Sequence, residues 1–409
     1  MCVCAIRTRP DEAQTTTIAL TSRSYALARA RSQYFFGGAL SVLTTRSLLT
    51  SLGVASSHAS EASAAINWVI KDGAGRVGRF LFARIGGRSL DDKAKQWRLL
   101  GDGLMFMGAC GELSTSLAPA FFLPLACSAN LAKNLAAVAA SATRAPIYRT
   151  FALQNNLADI TAKAESVANL SDVVGTGFGI LLAKRVSTLP AFVALSIGYL
   201  VASRREVDSV ELPYFNKARL GLAVKDFLTR GTCPSVPEGN AREPLLPWSR
   251  KNAVTNRIVL GASIAEACGH DSGGAEALER AIADGAGSPF LLTYRRDTKC
   301  AYVVLRGKTS AIKTQAVYEG CFAALTLLHL LAGDDISASF VDGPRPAARS
   351  EYKRMNMEKH DTQEFERRAM RFVARHGHSL FAVFDGKAQT LGWKTRLNTL
   401  NTKDARFVH

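Results

Sequence analysis

Apolar positions crowd between residues 33 and 202 of the chain and become sparser on either side. Within that span the pattern predicts six helices, over 33–55, 60–86, 93–116, 118–143, 155–183 and 187–203. Pro119, Pro146 and Pro190 fall at or near their ends, where a residue without an N–H does least harm. Gly53, Gly86 and Gly87 read as C-terminal stops. Several segments reach the roughly 20 residues that a helix needs to cross a hydrocarbon core.

None of the six is uniformly apolar. Glu112 closes the third and Lys133 interrupts the fourth. The fifth opens with "NNLADITAKAESVANLSD", residues 155–172. On a helical period this stretch lays Asn156, Asp159, Lys163 and Ser166 along one face, with Asn155 and Asn169 beside them. Leu157, Ile160, Ala164, Val167 and Ala168 lie around the other side. On a soluble bundle the stripe is a wet face. In a membrane bundle it is the wall of a polar pocket, and the candidates are Lys133, Asn156, Asp159, Lys163 and Glu112. Lys133 would pair there with Asp159 or Glu112, since a lysine amid a span turns inward toward a partner. Asp159 and Lys163 also have the order and spacing of a local i,i+4 ion pair.

Two further patterns favour the membrane reading. Lys and Arg gather in the connections after the second, fourth and sixth segments: Arg84, Arg88, Lys93, Lys95 and Arg98, then Arg144 and Arg149, then Arg204 and Arg205. The connections after the first and third have none, and Lys184 and Arg185 after the fifth break the alternation. Such sorting predicts an up-and-down bundle with both termini on one, positive side, and His58 on the other. Small residues also line particular faces. Gly101, Gly108 and Gly111 share one side of the third segment, and Gly175, Gly177 and Gly179 cluster in the fifth, as close helix packing in lipid requires.

Beyond Arg205 the texture changes. Residues 206–250 hold five prolines and read as an irregular connector. A helix is expected near 252–268 and another near 274–284. "PFLLTYRRDTKCAYVVLRG" reads as a hairpin turning at "RRDTK", followed by an amphipathic helix that stops at Gly333. A charged helix near 361–375 and a short element at "QTLGWKT" complete the pattern. The fold class is therefore mainly α: a helical membrane bundle over 33–205, the connector 206–250, and a small α+β domain over 251–409. Residues 1–32 form a transit-like or disordered tail, rich in Arg, Ser and Thr.

Composition narrows the partners. The formal net charge is +17, which suits an anionic surface. No nucleic-acid signature accompanies it and the basic residues are spread over loops, so anionic lipid headgroups are the expected partner and nucleic acid is not. The eight cysteines form no C-x-x-C and read as reduced. "MCVC" is too short a cue to assign acylation.

Familiar chemistry is missing. "VVLRGKTS" lacks the first glycine of a phosphate-binding loop, its place being taken by Tyr302. "GTGFG" has the wrong glycine spacing for a dinucleotide fingerprint. His376 and His378 would share a face of a strand, yet no third metal ligand has fitting spacing. The sequence offers no catalytic constellation, and no cofactor or metal is expected.

"INWVIKDGAGRVGRFLFAR", "KQWRLLGDGLM", "ATRAPIYRTFALQNNLADITAKAESV" and "GTGFGILLA", in that order, closely resemble the root UVB sensitive family. "AYVVLRGKTSAIKTQAVYEGCFAALTL" and "GWKT" resemble its C-terminal domain. The resemblance implies a eukaryotic, membrane-associated protein on a plastid or other organelle membrane, linked in plants to root UV-B responses and vitamin B6 homeostasis. It supplies no reaction and no catalytic residues. Two functions fit. One is a non-enzymatic bundle that holds or moves a small polar or amphipathic molecule, acting as a dimer of family members if it transports. The other is an anchored scaffold that recruits a protein through its C-terminal domain.

Overall fold

The computed structural model describes residues 32–52, 61–150, 156–246, 254–269, 276, 279–283, 287–306, 314–340, 346–357, 362–395, 400 and 406–407. The N-terminal tail to residue 31, Gly53, His58, Asn155 and the "GKTS" of residues 307–310 lie outside the described residues. The chain divides into two compact units, Met1–Val210 and Glu211–His409.

Among the described residues unit 1 has six long helices: α1 (Ser32–Ser51), α2 (Glu61–Asp92), α3 (Ala94–Ser114), α4 (Phe122–Arg149), α5 (Leu157–Arg185) and α6 (Thr188–Ser209). Gly86 and Gly87 do not stop α2, which continues to Asp92 because Lys93 alone separates it from α3. Neighbours in sequence are only partly neighbours in space. α1 packs along α5, α6 and α3, while α4 packs along α3 and α2.

Small side chains make those contacts. Ala39, Ala109, Ala126, Ala136, Ala139 and Ala168 are buried. A Cβ on Gly175 would overlap the Phe35 backbone of α1, and one on Gly179 would sit 2.8 Å from the Ala39 backbone. Gly101 and Gly108 meet Ala136 and Ala129 of α4 in the same way. Gly177 differs from the expectation. It faces open space and packs against nothing, since it lies between the two glycines that meet α1 and points away.

Many of the large apolar side chains point outward, although Leu40, Leu43, Phe192 and Leu195 form a buried cluster. Leu170, Val173 and Leu181 on α5 are 61–67% exposed, and Leu189 and Ile197 on α6 are about as open. Among the described residues three helical stretches are long and apolar enough to cross a membrane: Pro119–Arg149, Leu157–Arg185 and Thr314–Ala332. The first two, containing α4 and α5, lie in unit 1 and leave most of their apolar windows uncovered, 22% and 17% of the window being buried. At 1.5 Å per residue each is more than about 40 Å long.

Unit 2 holds α7 (Lys217–Arg230), α8 (Val236–Ala241), β1 (Ile258–Leu260), α9 (Ile264–Cys268), β2 (Phe290–Arg295), β3 (Cys300–Arg306), α10 (Thr314–Ala332), α11 (Pro346–Met357), α12 (Thr362–Thr390) and β4 (Arg406–Phe407). β2 and β3 form the antiparallel hairpin expected around "RRDTK", pairing Arg295 with Cys300. Lys299 takes the left-handed conformation that lets the turn close. β1 and β4 both run parallel to β3 on its other edge. α10, the third apolar stretch, is 83% buried, so its hydropathy is that of a core helix. Gly333 ends it at φ +84°.

Four expectations are corrected here. Residues 206–250 are no mere connector, because α7 buries Leu220, Ala223, Val224, Phe227 and Leu228 in the core of unit 2. Its i, i+3, i+4 spacing outweighs the prolines, which stand outside the helix. The helix near 252–268 is largely replaced by β1, where Ile258 and Leu260 alternate inward beside β3, and only Ile264–Cys268 is helical. The helix near 361–375 extends to Thr390, carrying Leu380, Phe381 and Phe384 into the core. Finally, α10 is buried all round rather than amphipathic.

Candidate functional site

Arg98 and Asp102 stand four residues apart on α3, so both project from one face. Both are buried, at 4% and 5% exposure. Arg98 lies 3.1 Å from Glu206 of α6 and 3.8 Å from Asp102. Ser203 Oγ and Tyr199 Oη of α6 donate to the two oxygens of Asp102, at 2.6 and 3.4 Å. A buried ion pair stays folded only when its remaining hydrogen-bonding capacity is used, and α6 supplies that here.

A second ion pair joins α4 to α3, between Lys133 and Glu112, whose side chains are 21% and 6% exposed. A polar seam joins α4 to α2. Asn130 donates to the Lys71 carbonyl at 2.8 Å, and the Arg79 guanidinium donates to Asn134. Lys71 sits 4.1 Å over the Trp68 ring and 3.1 Å from Asp72. Asp72, Arg76 and Arg79 thus gather beside Asn130, Lys133 and Asn134 of α4.

Between these clusters lies a cavity of about 330 Å³. α1 lines it with Gln33 and Tyr34, α3 with Arg98 and Asp102, and α4 with Lys133 and Arg144. α5 contributes Asp172 and α6 Tyr199. Apolar atoms of Leu40, Met105 and Phe106 fill the remaining wall. The arrangement suits a small molecule with both charged and apolar parts.

The predicted pocket residues separate into two groups. Lys133 and Glu112 come together, and Lys133 reaches the cavity. Asp159 and Lys163 do form the local ion pair, at 2.8 Å, but their side chains are 52% and 74% exposed and far from enclosure. Asn156 is the exposed N-cap of α5 and makes no capping bond with its side chain. The inward orientation of that stripe is therefore wrong. The opposite face of α5 carries Ala164, Ala168, Gly175 and Gly179, and only small side chains let α5 approach α1 closely.

The charge sorting is corrected too. Lys95 and Arg98 belong to no loop: α3 begins at Ala94 and both are buried in it. Sequence reasoning missed Arg98, Asp102, Glu206 and Gln33 as members of the site. The i,i+4 spacing of Arg98 and Asp102 was the available signal, whereas Glu206 is reached only through the fold. Asp172, the last residue of the quoted polar stretch, had a signal as well, lying three residues beyond Asn169 and inside the most apolar part of α5.

Unit 2 has a cavity of its own, of about 440 Å³, lined by Phe290, Leu292, Glu319, Met370, Val373 and His378. His378 Nδ1 lies 2.8 Å from the buried Glu319, and His376 Nε2 lies 2.9 Å from Glu351. The two histidines are on helix α12 and each faces its own carboxylate, so the strand placement does not hold. Among the described residues no three or more His, Cys, Asp or Glu side chains are grouped to hold a metal. None of the six described cysteines is in a disulfide. Burial pushes the Cys233 thiol up to about 12, which makes it inert at neutral pH.

Two family models match the chain. "Vitamin B6 photo-protection and homoeostasis domain" covers residues 23–231, and "Root UVB sensitive protein, C-terminal" covers residues 232–408. α7 thus falls within the first model by sequence while packing in the core of unit 2. Protein root UVB sensitive 6 of Arabidopsis thaliana is 39% identical over 92% of this chain and 72% of its own length. Protein root UVB sensitive 2, chloroplastic, of the same plant is 35% identical over 58% of this chain and 55% of its own. RUS family member 1 of Dictyostelium discoideum is 33% identical over 50% and 40%. No solved structure matches. With both family models in order and a relative aligned along nearly the whole chain, this protein belongs to the root UVB sensitive family.

Proposed function

We propose that unit 1 is embedded in an organelle membrane and holds a small polar or amphipathic molecule in the cavity around Arg98, Asp102, Lys133 and Tyr199. The observation that carries the reading is the reversed distribution of side-chain size. Among the described residues, 25 of the 27 exposed large hydrophobic side chains lie in unit 1, whose interior is rich in small residues and holds buried charges. Facing water, such a surface far exceeds the apolar patches of soluble proteins. Facing lipid it is the ordinary exterior, and buried charges then mark a site. The family model's vitamin B6 description supports a bound molecule among small, charged heteroaromatics or their relatives. The reading assigns no catalytic residue.

The excess of 51 Lys and Arg over 34 Asp and Glu supports attraction to anionic headgroups at the membrane surface. One relative is named chloroplastic, which supports an organelle setting. Transport would require a second copy of the bundle or a family relative, since six helices are half of many transporter folds. A second reading, an anchored scaffold, draws on unit 2, whose core of Phe215, Phe227, Phe322, Phe384 and Trp393 is complete within itself. Its occupant would be a protein partner.

Alkaline carbonate extraction of tagged protein tests the shared element of both readings. The protein is expected in the membrane pellet. Quantitative release to the supernatant would refute membrane embedding and leave a soluble bundle.

A further inference from the structure

Asp172 stands near the middle of α5, among the outward-facing Leu170, Val173 and Val174. Its carboxylate lines the cavity and lies next to Gly38 of α1, 3.0 Å from where a Cβ there would be. Among the described residues it has no ion-pair or side-chain hydrogen-bond partner. The cavity's cations are each paired with another carboxylate, Arg98 with Glu206 and Asp102, Lys133 with Glu112, and Arg144 with Glu165 at 3.3 Å, which leaves the Nε atoms of Arg98 and Arg144 as its buried unmatched donors. A second acceptor points into the same space. Gln33 is 3% exposed and its side-chain carbonyl oxygen has no partner.

The buried Gln33 oxygen left without a donor costs free energy, and the Asp172 carboxylate, exposed on the outer surface of the bundle, costs more where that surface faces lipid. Two unmatched acceptors on one cavity wall call for a positively charged donor between them. We propose that Asp172 is the cation-binding carboxylate of this cavity, neutralised by a proton or by the ammonium group of a bound amine, with Gln33 as the second acceptor. The inference rests on the membrane-embedded reading of unit 1. Its electrostatic setting comprises Tyr34 of α1, Arg98 and Asp102 of α3, Lys133 and Arg144 of α4, and Tyr199 of α6. The nearest counter-charges in that set are spent on Asp102, Glu112, Glu165 and Glu206, so Asp172 keeps its demand.

The test uses a lipid-soluble carbodiimide on the full chain in membranes. A protonated carboxyl in apolar surroundings adds its oxygen across the C=N bond, passes its proton to nitrogen, and rearranges to a stable acylurea that mass spectrometry locates. Asp172 is expected to acquire the adduct, Asp159 on the wet end of the same helix is not, and Asp172→Asn is expected to lose it while remaining monodisperse in detergent. Pyridoxamine, a charged amine, and pyridoxine, which lacks one, separate the two sources of charge. Protection by pyridoxamine alone identifies a ligand ammonium, and labelling that rises with acidity and ignores both compounds identifies a proton. An Asp172 that resists the lipid-soluble reagent, yet reacts like Asp159 with a water-soluble carbodiimide, overturns the proposal. Carbonate extraction of the same membranes separates the two failures. Release refutes the embedded reading, and retention without an adduct refutes the role of Asp172 alone.

Discussion

The two units of this chain solve the burial problem in opposite ways. Unit 2 packs large side chains inward: Phe215 stacks on Trp393 at 4.1 Å, and Phe227 and Phe384 pack against each other and against Phe322 of α10. Unit 1 buries mainly alanine and glycine at its helix contacts, beside a small cluster of Leu40, Leu43, Phe192 and Leu195, and leaves many of its leucines and valines facing outward. Both have apolar helices of spanning length, so hydropathy alone does not separate them. What separates them is the side on which the volume sits. Water drives large apolar groups into a core. Lipid gives no such drive, and helices associate there through close backbone approach and polar contacts.

Substitutions that exchange the two strategies give the largest effects. Gly175→Leu would drive a side chain into the Phe35 backbone, and loss of monodisperse protein in detergent is expected. In unit 2 the sensitive change is the reverse, a truncation. Phe322→Ala should cost about 3–5 kcal/mol, read as faster hydrogen exchange across α10. The same truncation on the exterior of unit 1, Leu170→Ala, should move stability by no more than about 0.5 kcal/mol. If Leu170→Ala were as damaging as Phe322→Ala, the contrast between the units would fail.

Buried ion pairs are where the units should agree. Arg219 and Glu243 in unit 2 are fully buried at 2.7 Å, with Asn216 donating to the second carboxylate oxygen at 2.7 Å. Arg98 and its partners are the counterpart in unit 1. Arg219→Ala and Arg98→Ala each strand a buried carboxylate, and about 3–5 kcal/mol is the expected loss in both, measured by denaturant titration. A negligible effect of Arg98→Ala would mean that water reaches this part of the bundle.

A smaller effect belongs to unit 2 alone. The Ser337 backbone N–H, at 2.9 Å, and the Tyr352 hydroxyl, at 3.0 Å, both donate to Asp335 and hold its carboxyl below the ordinary range. A depressed folded value means that this group stabilises above its unfolded value of about 3.9. The contribution is lost as pH falls through the lower folded value. Asp335→Asn should therefore flatten the acid limb of unit 2 unfolding, followed by melting temperature against pH, and leave neutral stability little reduced.

The smallest effect is at the exposed pair. Asp159→Ala should change stability by only a few tenths of a kcal/mol, because both partners face outward in solvent or headgroups. A loss of several kcal/mol would restore the stripe as a buried site.

Local patterns were legible where the decision is local. The six helices of unit 1 and the hairpin at Arg295 to Cys300 follow from periodicity and turn residues. α7 was hidden by its flanking prolines, although Leu220, Val224 and Phe227 carry the helical spacing. β1 is three residues long and is held by pairing with β3, some forty residues on, which no window reveals. The site was legible in part. Lys133 and Glu112 stood out because charge interrupts an apolar helix. The stripe of Asn156, Asp159 and Lys163 was misplaced because periodicity gives a face, not the side to which it turns. Gly175 and Gly179 decided that side, through a close approach to α1 that depends on a helix more than 120 residues away.

The central claim, that the exterior of unit 1 faces lipid, is tested most directly by nitroxide accessibility in reconstituted bilayers. Labels at Val173 and Ile197 on unit 1 should collide more often with oxygen, which concentrates in hydrocarbon, than with a water-soluble nickel chelate. A label at the exposed Arg371 of unit 2 should show the opposite preference. Nickel accessibility at Val173 and Ile197 equal to that at Arg371 would place both surfaces in water and contradict the account.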